Sequence, residues 1–117
     1  MNKKQLLMLS AKAVGLNVVE FQNGVARVET DFKDTGCGWV SGANVPWMPL
    51  DEDAEAFRLA VALKIDLMFA QGPADKYCQA IAMQVGIQEC EPINVDACAA
   101  ARKAIVKAAA IMGSKIL

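Results

Sequence analysis

Asp51 and Asp53 are the carboxylates of this sequence whose spacing could support acid and base work, since a nearby pair can hold one proton between them and pass it on. Glu52 and Glu55 belong to the same cluster and give it a second reading, in which negative charge at a helix start opposes the positive end of the helix dipole. Trp39 and Trp47, with Met48, lie in a stretch rich in Gly and Pro, where an aromatic ring can anchor a partner or stack on a ligand. The same tryptophans could instead pin a loop to the core. Arg58 adds a guanidinium that could meet an anionic group. Trp39, Trp47, Asp51, Asp53 and Arg58 are the candidate ligand- or partner-binding set.

Other chemistry is poorly supplied. The chain has no histidine, so neither a Cys/His nor a Ser/His nucleophile pair can form. Cys37, Cys78, Cys90 and Cys98 lie far apart with no C-x-x-C spacing, which favours small buried hydrophobes over a zinc site. Asp34-Thr35-Gly36 matches the short signature of aspartic proteases, but Lys33 stands where that site needs an apolar strand, and an Asp/Gly turn accounts for the triplet. The run from Gly36 to Gly42 approaches a G-x-G-x-x-G phosphate loop without the strand and helix that such a loop joins. No catalytic residue, metal or cofactor is expected.

The elements that must position the candidates follow from pattern. Asn2 caps a first helix carrying Leu6, Leu9, Ala13 and Leu16 on one stripe, and Gly15 stops it. Asn23-Gly24 predicts a type I′ hairpin that pairs Gln22 with Val25, Phe21 with Ala26 and Val19 with Val28, the apolar face continuing toward Phe32 and Arg27, Glu29 and Asp31 taking the other side. Residues 34–49 read as a loop around a short strand, and the acidic cluster opens a helix to about Lys64. Ile65, Leu67 and Phe69 alternate as a strand ended by Gly72-Pro73. Residues 76–85 fit either period, and the strand reading is preferred. Asn94 or Asp96 caps an alanine-rich helix to about Met112, with Gly113 after it and Cys98, Ala101, Ile105, Ala108 and Met112 as its stripe. The predicted class is α+β, a small antiparallel sheet with flanking helices or an α/β sandwich, in one domain over residues 1–117.

Composition narrows the function. With 55% hydrophobic and 21% charged residues in 117, the chain is expected to bury one core. Twelve basic against thirteen acidic residues leave a charge of -1, which disfavours nucleic acid. The basic groups Lys3, Lys4 and Lys12, and Arg102, Lys103 and Lys107, read as solvated helix faces. No apolar run reaches the roughly 18 residues of a membrane span, and Ser10 and Lys12 interrupt any signal-like segment, so a cytoplasmic protein is expected.

Trp47-Met48-Pro49-Leu50-Asp51-Glu52-Asp53-Ala54-Glu55-Ala56-Phe57-Arg58-Leu59-Ala60-Val61-Ala62-Leu63 resembles the W-N-P-L-x-D-D-G-D-A-L-R-L-A-V-K-L segment of a family of small phage and prophage proteins of unknown function. Arg102 to Ala110 resembles that family's terminal R-R-A-I-V-R-A-A-A helix, and Gln5 to Ala13 its opening. Here Met48 replaces the usual Asn, Ala54 the Gly and Ile111 a Glu. The resemblance implies a phage-encoded accessory protein inside a bacterial host. It also implies an α/β sandwich, and it implies no reaction. The leading expectation is binding of a host or phage protein, with a small-molecule or nucleotide-binding module as the alternative and an enzyme as the third reading. A homodimer through the final helix is expected from Ile111, Met112 and Ile116, with Ala104 and Ala108 allowing close approach; the competing reading packs Ile111 on the chain's own first helix.

Overall fold

A computed structural model describes residues 1–30, 42–69, 77–93 and 96–116. Cys37, Trp39, the Asp34-Thr35-Gly36 triplet, the glycine-rich run up to Ser41, Asp31, Phe32, Gly72-Pro73 and Asn94 lie outside them. Helix α1 spans Lys3–Ala13 and opens with a capping box: Asn2 Oδ1 accepts from the Gln5 N–H at 2.8 Å and Gln5 Oε1 from the Asn2 N–H at 3.0 Å. Gly15, at φ +78, follows its C-terminal end. Strands β1 (Asn17–Gln22) and β2 (Val25–Thr30) form the hairpin, with Asn23 and Gly24 both at positive φ as a type I′ turn demands.

The hairpin register departs from expectation at its far end. Gln22 faces Val25 and Phe21 faces Ala26, but a bulge between Val18 and Glu20 sets Val18, not Val19, opposite Val28. The extra residue sends Val19 out to solvent at 44% exposure and keeps Val18 on the core side. Strand β3 (Gly42–Trp47) completes the sheet in the order β1-β2-β3 and lays Val45 beside Val28 and Trp47 beside Ala26.

Helix α2 (Asp53–Leu63) ends at Lys64, which adopts the left-handed conformation while the Ile65 N–H donates to Ala60 O. A second antiparallel sheet follows, ordered β4 (Asp66–Phe69), β5 (Tyr77–Ala82) and β6 (Ile87–Pro92). The strand reading of residues 76–85 holds over β5, after which Met83–Val85 turn as a short 3-10 helix closed by Gly86 at φ +69. Two three-stranded sheets thus stand where one small sheet was expected, within the predicted α+β class.

The last helix, α3 (Ala97–Ser114), is capped by Asp96, whose carboxylate accepts from the Cys98 and Ala99 N–H groups at 2.9 and 3.2 Å. It packs on α1, on α2, and on β5 and β6, so apolar residues are buried around most of it rather than along one stripe. Cys98, placed on that stripe by its spacing, is exposed. Ala104 and Ala108 are fully buried, Ile111 and Met112 pack partly on the core, and Ile116 is exposed.

Gly113 lies inside α3 rather than beyond it, and the reason is contact with α1. A Cβ there would sit 1.8 Å from the Leu9 carbonyl oxygen. α1 buries Leu7, Ser10 and Ala11, a face shifted from the expected Leu6, Leu9 and Ala13. Ser10 keeps its buried hydroxyl satisfied by donating to Leu7 O at 3.2 Å. Gly113→Ala should therefore lower stability by about 1–3 kcal/mol in chemical denaturation, the clash outweighing the roughly 1 kcal/mol that alanine gains by helix propensity.

Candidate functional site

Helices α2 and α3 and strand β4 enclose an open groove of about 800 Å³. Its floor is apolar and buried, formed by Ala56 and Ala60 of α2, Ile65, and Ile105 of α3. Its lip is apolar and exposed: Phe57 is 69% exposed, Val61 52% and Leu67 40%. Charged residues mark its ends, Asp53 and Arg102 at the start of α2, and Lys64 and Asp66 just beyond its end, roughly 16 Å along the helix axis. Lys64 holds φ +56 at this rim, a conformation that costs a residue with a Cβ on the order of 1 kcal/mol.

The Asp53 end is a polar clamp. Arg102 Nε donates to Leu50 O at 2.9 Å, its Nη1 donates to Asp53 Oδ1, and its Nη2 lies 4.0 Å from Asp96 Oδ2. One guanidinium thus ties the turn before α2, the first turn of α2 and the cap of α3 together. Its side chain is only 16% exposed, so Arg102 is part of the rim and not the solvated face that its basic neighbours suggested.

Of the five candidate residues, Asp53 reaches the groove. Asp51 is exposed in the preceding turn, where its N–H donates to Met48 O. Arg58 points to Glu55 on its own helix at 3.2 Å. Trp47 is 1% exposed, with its Nε1 unpartnered, so its ring belongs to the core and offers no stacking surface. Trp39 lies outside the described residues. Arg102, Phe57 and Val61 are the rim and lip residues that sequence reasoning missed, although Phe57, Val61 and Lys64 recur at i, i+4 and i+7 and so mark a second face of α2.

A smaller recess of about 370 Å³ lies on the α1 side, lined by Met1, Leu6, Glu89, Lys103, Lys107 and Ile111. Beside it Glu91 of β6 is 8% exposed and accepts from Lys107 Nζ at 2.9 Å, with Lys103 Nζ at 3.1 Å. Burial pushes its carboxyl up, but the hydrogen bonds and charges of Lys107 and Lys103 outweigh burial and hold it below the ordinary glutamate range. Lys107 is raised in turn by its hydrogen bond to Glu91, against the opposing effect of burial. Burial, then the nearby Cys90, pushes the Cys78 thiol up.

Among the described residues no three Cys, Asp or Glu side chains converge to hold a metal ion, and no helix is long and apolar enough to cross a membrane. Comparison of the chain with protein-family models, curated proteins and solved structures finds no match.

The Glu91 cluster makes stability depend on pH. Because the folded carboxyl titrates below its unfolded value of about 4.3, its contribution is complete above that pH and disappears as pH falls through the lower folded value. Glu91→Gln should cost about 1–2 kcal/mol at neutral pH, discounted for the partial exposure of both lysines. Denaturation at a series of pH values should show the gap between wild type and variant closing toward the acid end.

Proposed function

We propose that this chain is an accessory binding protein of phage or prophage origin, acting in the cytoplasm of a bacterial host, which docks a host or phage protein in the groove between α2, α3 and β4. The resemblance of residues 47–63 and 102–110 to small phage proteins supplies the setting. The observation that carries the reading is the apolar lip: Phe57 and Val61 remain exposed on a helix whose inner face, Ala56, Leu59 and Ala60, already packs on the core. A groove open along its length, with charge at both ends about three helical turns apart, suits an amphipathic helix of a partner protein.

An apolar small molecule is the second reading, because the groove volume falls in the range of roughly 300–1,000 Å³ that ligand sites occupy. A protein partner is favoured over it, since the exposed lip would leave much of a small molecule in water. A metabolite that raises the melting temperature of the purified chain, with the rise lost in Val61→Arg, would reverse that preference.

Cys98 lines the groove, whereas Cys90 is exposed on the sheet face that carries Gln79, away from it. In a Cys37→Ser background, a thiol-linked photo-crosslinker introduced into the chain in host extract should capture a partner with Cys98 and Cys90 both present and in Cys90→Ser, and fail to do so in Cys98→Ser. Val61→Arg should weaken binding of the captured protein at least tenfold. Capture that ignores Cys98, or that survives Val61→Arg, would count against the groove.

A further inference from the structure

Among the described strands the two sheets present four edges, and three of them carry a feature that discourages pairing with another chain. β1 is bulged at Val19, β3 contains Pro46, which has no N–H to donate, and β6 carries Glu89 and Glu91 before Pro92. β4 carries none of these. Its single charge, Asp66, stands at the first position, and Leu67, Met68 and Phe69 follow at 40%, 54% and 44% exposure with no bulge against β5. Leu67 and Phe69 share the sheet face of the buried Ala80 and Cys78, while Met68 takes the opposite face beside Gln79. The edge is therefore apolar on both sides, with unpaired main-chain groups between them.

We propose that β4 pairs antiparallel with β4 of a second copy of this chain, joining two three-stranded sheets into one six-stranded sheet across a two-fold axis. A two-fold axis perpendicular to the sheet keeps inner faces together, so residues opposite each other lie on the same face. Centring the pair on Met68 sets Leu67 of each copy against Phe69 of the other and Met68 against itself. Every apolar side chain of the strand then meets an apolar partner, whereas centring on Leu67 would set Asp66 against Met68.

The pairing and the charge both suit a second copy. Leu67, Met68 and Phe69 are exposed on the two faces of the strand, and in the register centred on Met68 each meets an apolar side chain of the other copy, while the groove lip of Phe57 and Val61 is left to the docked partner. A formal charge of -1 per chain opposes association little.

The experiment uses the purified chain without any partner protein, so its result is separate from that of the docking test. Light scattering over a concentration series should give a dimer. Met68→Lys, which sets two lysines face to face and does not touch the groove, should raise the dimer dissociation constant at least tenfold, and Gln88→Lys on β6 should leave it unchanged. A wild-type chain that stays monomeric at millimolar concentration, or a dimer indifferent to Met68→Lys, would overturn the proposal. If Met68→Lys fails to fold, amide exchange of the wild type decides: exchange at Leu67–Phe69 should slow as concentration rises, and rates that do not change would reject the β4 interface.

Discussion

The close contact between α1 and α3 at Gly113 sets the geometry of everything packed around it. Two helices cannot bring their backbones to this separation with a side chain between them, and Gly113 against the Leu9 carbonyl supplies that condition. With α1 held on one side, α3 becomes the element on which α2, β5 and β6 also pack. Its alanines follow from this position, because Ala100, Ala104, Ala108, Ala109 and Ala110 are buried against different neighbours and larger side chains would push those neighbours away.

Polar anchors then fix how the outer elements sit on α3. Arg102 binds the Leu50 carbonyl and the Asp53 carboxylate, which places the start of α2 against the start of α3. Lys103 and Lys107 meet Glu91 and hold β6 against the same helix from the other side. Adjacent residues of one basic cluster thus serve two separate attachments. In each case burial of a charged group is offset by direct hydrogen bonds, the condition under which such pairs contribute to stability.

Five of the twelve large hydrophobics exposed among the described residues, Phe57, Val61, Leu67, Met68 and Phe69, lie on α2 and β4. α2 packs Ala56, Leu59 and Ala60 inward while Phe57 and Val61 face outward, and β4 lies at the edge of the sheet whose β5 and β6 carry α3. Among the described residues no element covers the exposed side chains of α2 and β4. Apolar surface left exposed on two consecutive elements that line one groove is the physical basis for reading this region as an interface.

Local rules were fully legible where the deciding interaction lies within a few residues. The Asn2 cap, the Asn23-Gly24 turn, a cap from Asn94 or Asp96, of which Asp96 serves, and the acidic opening of α2 all depend on backbone conformation and neighbouring side chains, which the sequence contains directly. The same holds for the α+β class. The bulge at Val19, the continuation of α3 through Gly113, and the division into two sheets depended on contacts between distant segments. The groove was the least legible feature, because Phe57 and Val61 read as ordinary helix hydrophobics until the opposite face of α2 is seen to be the buried one. Asp53 and Arg102 are 49 residues apart in the chain, and Trp47 could equally have been loop or core. Residue type determined what each side chain could do, and tertiary packing alone decided which of them face solvent together, since burial is a property of the whole assembled core and not of any local pattern.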